Sequence, residues 1–116
     1  MILFLDDLRT PPELHPTTGL PVQWDVCRTA KEALERLALG TVTFISFDHD
    51  LGSQTFTGYS VAKWIEEEAF TNPKFTPPDY FIHSANSVGT KDIRMAMEAA
   101  HKFYDKRIGQ DVNQIG

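Results

Sequence analysis

Apolar and polar positions alternate along this chain in two different rhythms. Four short runs read as strands: ILFLD at 2–6, QWDVCR at 23–28, VTFISFD at 42–48 and YFIHS at 80–84. The first, third and fourth are nearly continuous in apolar residues, as expected of strands covered on both faces. The second alternates, with Trp24, Val26 and Arg28 on one side, which suits an edge. Three other stretches follow the helical period. TAKEALERLALG opens with Thr29 and Glu32 at the spacing of a capping box, carries a stripe of Ala30, Ala33, Leu34 and Leu37, and ends at Gly40. TGYSVAKWIEEEAF sets Val61, Ile65 and Ala69 on one face beside Trp64, and Asn72-Pro73 stops it. GTKDIRMAMEAAHKFYDKR opens at Thr90 and aligns Ile93, Met97, Ala100 and Tyr104, with Met95 and Met97 read as core filler.

Strands alternating with helices predict a single α/β domain over residues 1–116, with a parallel sheet in strand order 2-1-3-4 and helices on both faces. Two proline-rich segments, RTPPELHPTTGLP and TNPKFTPPDY, interrupt the pattern as irregular connections. After HKFYDKR the chain offers no further apolar run that would make a fifth strand.

Composition narrows the picture only a little. A hydrophobic fraction of 41% and a charged fraction of 23% are ordinary for a globular domain. The net charge of −5 gives no general attraction to nucleic-acid polymers, although local cationic groups remain able to bind a small phosphate. The single cysteine, Cys27, reads as a small buried hydrophobe and suits a reducing compartment. The first apolar run stops at Asp6, too short for a signal segment or a membrane span, so no membrane and a cytoplasmic location are the expectations. The sequence does not set an oligomeric state.

The chemistry sits at the strand ends. In open parallel sheets, ligands bind beyond the carboxyl ends of the strands. Asp6 and Asp7 end the first strand, Asp48, His49 and Asp50 the third, and His83, Ser84 and Asn86 follow the fourth. Carboxylates crowded into one crevice repel each other unless their pKa values rise or a cation neutralises them. Aspartate oxygens suit Mg²⁺, and nearby imidazoles shift the preference toward Mn²⁺ or Zn²⁺. The plainer alternative has Asp6 and Asp7 solvating a loop and Asp50 closing a turn. His49 and His83 are candidate proton carriers, or hydrogen-bonded core groups. Arg9, Arg28 and Lys91 bring positive charge to the same end. Gly89 in NSVGTK and Gly58 in FTGYS mark two helix starts that could receive an anion, or are simply turn residues.

Taken in order, LFLDDLRTPP, FDHDLGSQTFTGYSVAKWI and HSANSVG resemble the cyclic-phosphate-processing receiver-like family, relatives of response-regulator receiver domains, over roughly residues 1–100. The resemblance implies a flavodoxin-like three-layer sandwich and hydrolysis of a small cyclic-phosphate nucleotide. By position, Asp6 and Asp7 match the acidic pair of receivers, Asp48 the acceptor aspartate and Ser84 the hydroxyl residue of the fourth strand. On that basis Asp6, Asp7 and Asp48 are expected to hold a divalent metal, Mg²⁺ first and Mn²⁺ second. Asp50 or His49 would orient a water, and His83, facing the metal across the ligand, would protonate the leaving oxygen. Ser84 and Asn86 would fix a phosphate oxygen, and Arg9 and Lys91 would take phosphate charge. The rival readings are a module that binds or sequesters a nucleotide without turnover, and a one-domain phosphoacceptor using Asp48. The missing fifth strand, with no lysine at its end, counts against ordinary phosphorelay.

Overall fold

The computed structural model of the chain describes residues 1–53 and 55–115, with side chains up to residue 109. Its elements run β1 (Ile2–Leu5), β2 (Asp25–Cys27), α1 (Ala30–Ala38), β3 (Phe44–Phe47), α2 (Gly58–Thr71), β4 (Asp79–Ile82) and α3 (Ser87–Ile115). The sheet has the expected order β2-β1-β3-β4, and every neighbouring pair is parallel. All four carboxyl ends therefore meet at one rim. No described helix is long and apolar enough to cross a membrane.

Local sequence explains the helix starts. Thr29 caps α1 by accepting the N–H of Glu32, and Gly40 closes the turn beyond it at φ +78°. Thr57 and Ser60 form a reciprocal capping box on α2. Asn86 accepts the N–H of Gly89, so α3 begins three residues before Thr90, where the apolar spacing had put its start.

Packing is less symmetric than the alternation of elements suggests. Leu3 and Leu5 of β1 and Ile45 and Phe47 of β3 join one core with all three helices, through Ala33 and Leu37, Val61 and Ile65, and Ile93 and Met97. The opposite face presents Phe4, Phe44 and Ser46, covered by rings rather than helices: His15 and Trp24 lie on Phe44, and Trp24 and His83 on Phe4. The segment between β1 and β2 supplies this layer, and its prolines keep it from forming a helix. Helices on both faces were expected; the second face instead carries this irregular segment. Edge position also leaves β4 partly open, with Phe81 42% exposed, where coverage on both faces was expected. Met95, expected in the core, is exposed because it falls one residue off the buried face of Ile93, Ala96, Met97 and Ala100. Cys27 is fully buried, and burial pushes its thiol up to about 11.

Candidate metal centre

Strand register builds the site. Leu5 is level with Phe47, and Phe47 with Ile82. The ladder then runs one step past each strand: Asp48 N–H donates to the Leu5 carbonyl and His83 N–H to the Phe47 carbonyl, both at 2.9 Å. Asp6, Asp48 and His83 thus stand side by side, on the face that carries Phe4 and Ser46 because side chains alternate along a strand. Each offers one ligand atom, and these atoms all lie within 4.8 Å of one another.

Asp6 is 1% exposed. Its Oδ1 accepts the backbone N–H groups of Leu8 at 2.9 Å and Arg9 at 2.8 Å. Its Oδ2 accepts Nε2–H of His83 at 3.1 Å. Burial by itself would raise the Asp6 carboxyl, but the two N–H groups and His83 outweigh it and hold the group below its ordinary value. His83 is clamped on every side. Its ring stacks on Phe4 at 4.6 Å, and its Nδ1 lies 2.7 Å from Oγ of Ser46. With the proton on Nε2 facing a carboxylate, Nδ1 must accept from the Ser46 hydroxyl. Burial pushes the imidazole below its ordinary value, an effect that Asp6 and Asp48 only partly offset.

Asp48 differs from its neighbours. It is only 7% exposed, and its carboxylate accepts no hydrogen bond among the described residues. Its oxygens still reach the surface, which leaves them open to a cation. Two carboxylates and a neutral imidazole within reach of each other are a ligand set for a divalent ion.

Asp7 lies outside this group. As the next residue along, it turns to the other side, where its Oδ2 would stand 3.3 Å from a Cβ on Gly52. His83 was expected across the ligand from the acids; it sits among them instead, bonded to Asp6. Arg9 pairs with Asp6 at 3.7 Å and donates from Nη1 to the His83 carbonyl at 2.8 Å, while remaining about half exposed. Arg28 spends Nη1 on the carbonyls of Asp6 and Arg9, so it pins the turn after β1 rather than facing the crevice.

A second cluster lines the mouth. His49 donates from Nδ1 to Oδ1 of Asp50 at 3.0 Å, which holds the Asp50 carboxyl below its ordinary value. Asn86 Nδ2 approaches both at 3.5 Å, and Ser84 accepts the N–H of Asn86 at 3.1 Å. Ser84 and Asn86 therefore order the start of α3. Gly89 is needed there because a Cβ would overlap the His49 ring. Gly58 is needed because a Cβ would overlap the Asp48 carbonyl, and its N–H is spent on the His49 carbonyl at 2.9 Å. With the Tyr59 N–H taken by Thr57, the first turn of α2 is not an open anion site, contrary to the expectation for Gly58. Lys91 is exposed on α3 and joins no ion pair among the described residues.

Ser46 escaped notice in the sequence. The available signal was a lone hydroxyl inside the apolar run VTFISFD, since a buried hydroxyl needs a partner. One family model, the cyclic-phosphate processing receiver domain, matches residues 1–99. No curated protein and no solved structure matches the chain.

Proposed function

The chain belongs to the cyclic-phosphate processing receiver domain family, and from that premise we propose that it hydrolyses a small cyclic-phosphate nucleotide with a divalent cation held by Asp6, Asp48 and His83. The observation that carries this reading is the convergence of Asp6, Asp48 and His83, whose ligand atoms all lie within 4.8 Å of one another. The ligand set fits Mg²⁺ or Mn²⁺, with the imidazole favouring the latter. When bound, the cation polarises a phosphate oxygen and lowers the pKa of a water.

The chain's own residues do the rest. Asp6 is held in place by the N–H groups of Leu8 and Arg9 on Oδ1, which leaves Oδ2 turned toward His83 and Asp48. For Nε2 of His83 to offer a lone pair, the ring proton moves to Nδ1, where the Ser46 oxygen turns from donor to acceptor. Arg9, half exposed above Asp6, takes phosphate charge. The proton donor is His49. Both nitrogens of His83 are engaged within the protein and burial keeps its ring neutral, whereas His49 has Nδ1 oriented by Asp50 at the mouth. In the reaction a water oxygen bonds to phosphorus and the ring P–O bond breaks. The departing oxygen takes a proton from His49, and the water releases one to solvent. A reducing, cytoplasmic setting suits the lone buried thiol and is proposed with the activity.

The test is incubation with a panel of 2′,3′- and 3′,5′-cyclic nucleotides and Mg²⁺ or Mn²⁺, followed by phosphorus NMR. Ring-opened monophosphate is expected, abolished by Asp48→Asn and lowered ~10²–10⁴-fold by His49→Ala. No product from any member of the panel overturns hydrolysis, and saturable metal-dependent binding without product makes the domain a binding module.

A further inference from the structure

β4 ends the sheet on one side, and its outer edge is bare. Asp79 N–H donates to the Thr43 carbonyl and His83 N–H to the Phe47 carbonyl, so the odd-numbered residues turn their backbone groups toward β3. Tyr80 and Ile82 turn theirs away from the sheet. Among the described residues no backbone group meets them there. The strand reads DYFI, pairs with β3 without a bulge, and carries neither lysine nor proline, devices that commonly keep an edge from pairing. The other edge offers less. Of the three residues in β2 only Val26 turns outward, because Cys27 gives its carbonyl to the Asp6 N–H.

The groups around the β4 edge complement a reversed copy of themselves. Phe81 points to the face of Ser46, its neighbour in register, and is exposed. Tyr80 and Ile82 point to the other face, toward the helical core. His101 Nε2–H donates to the Pro78 carbonyl at 2.9 Å, so α3 runs back alongside the strand. Burial raises the Tyr80 phenol, Glu98 adds to the rise and Arg94 opposes it, which places both charges of α3 beside β4. Arg94 and Glu98 are exposed one helical turn apart, yet neither joins an ion pair among the described residues.

We propose that the β4 edge pairs antiparallel with the β4 edge of a second copy of this chain, about a two-fold axis at Phe81, joining the two sheets into one. This is the symmetric register that uses both outward-facing residues. Tyr80 of each copy exchanges its backbone bonds with Ile82 of the other, and Phe81 meets Phe81 as a non-hydrogen-bonded pair, where side chains lie closest. The same axis reverses α3 against its copy and sets Arg94 of one against Glu98 of the other. A closed two-fold contact requires such self-complementarity, which favours a second copy over an unrelated strand. His83 leans away from this edge onto Phe4, so pairing leaves the metal-ligand set undisturbed.

Sedimentation equilibrium tests the contact. A short edge belongs to the weak class of interfaces, so dimer is expected to accumulate between roughly 1 µM and 1 mM protein. Amide exchange at Tyr80 and Ile82 should slow over the same range. Phe81→Lys sets like charges on the axis and should weaken association by about tenfold, while the thermal melt of the dilute protein stays that of the parent. Arg94→Glu and Glu98→Arg should each weaken the dimer as well. An equimolar mixture of those two variants should associate about as strongly as the parent, because each charge then faces its opposite. A monomer at every concentration overturns the proposal, as does a dimer that Phe81→Lys leaves intact. A mixture no stronger than the single variants overturns the two-fold register.

Discussion

His83 and Asp6 meet at 3.1 Å across 77 residues of sequence, joining the tip of an edge strand to the turn that follows a central one. Between them in the sheet stands β3, which supplies Ser46 to the far nitrogen of the same ring. The imidazole is thereby held in one orientation, with the Asp48 carboxylate beside it.

Asp48→Asn is expected to weaken Mn²⁺ and Mg²⁺ binding more than the loss of an outer hydrogen-bond partner would, and therefore by more than about 10–100-fold. Asp7→Asn, on the opposite side of the turn, should leave affinity nearly unchanged. Isothermal titration of both variants decides the ligand set. A large loss in Asp7→Asn with none in Asp48→Asn would reverse it.

Ser46→Ala removes the hydroxyl bonded to Nδ1 of His83 and leaves a half-satisfied, mostly buried ring. The expected costs are ~1–3 kcal/mol of stability and about a 10–100-fold loss of metal affinity. Urea denaturation measures the first and metal titration the second. An unchanged metal affinity would remove Ser46 from the site.

Acid should destabilise the metal-free protein in two windows. Burial lowers the folded pKa of His83, so between that depressed value and the ordinary one near about 6.5 the unfolded chain binds a proton that the folded chain does not. Stability is then lost as pH falls below the ordinary value. Asp6, also depressed, adds a loss at lower pH as its carboxyl is protonated. Thermal melts from pH 7.5 to 5.5 should show a falling Tm that His83→Gln flattens. A parent Tm that is flat over this range would mean that His83 is not held neutral.

Gly58→Ala places a methyl group where the Asp48 carbonyl already is. Because that atom belongs to the backbone, α2 or the tip of β3 must shift, at a cost of roughly 1–3 kcal/mol. A lower denaturation midpoint together with weaker metal binding is the expected pair of effects. A variant as stable as the parent would show that the approach is looser than described.

Much of this molecule was readable from one dimension. The apolar runs, the cap at Thr29 and the proline-rich breaks are local signals, and local energetics decides them. Parallel order and shared strand tips followed from alternation of strands with helices, because connections between parallel strands permit few topologies. The choice between adjacent acids depended on the sheet. Asp6 and Asp7 look equivalent in a string, but the pleat sends them to opposite sides, and only register with β3 and β4 shows which side holds Asp48 and His83. Tertiary structure also decided that Ser46 serves His83, that all three helices share one face, and that Gly58 and Gly89 are spacers for Asp48 and His49. Each of these depends on groups brought together from distant parts of the chain, and no pattern of neighbours in sequence encodes a contact of that range.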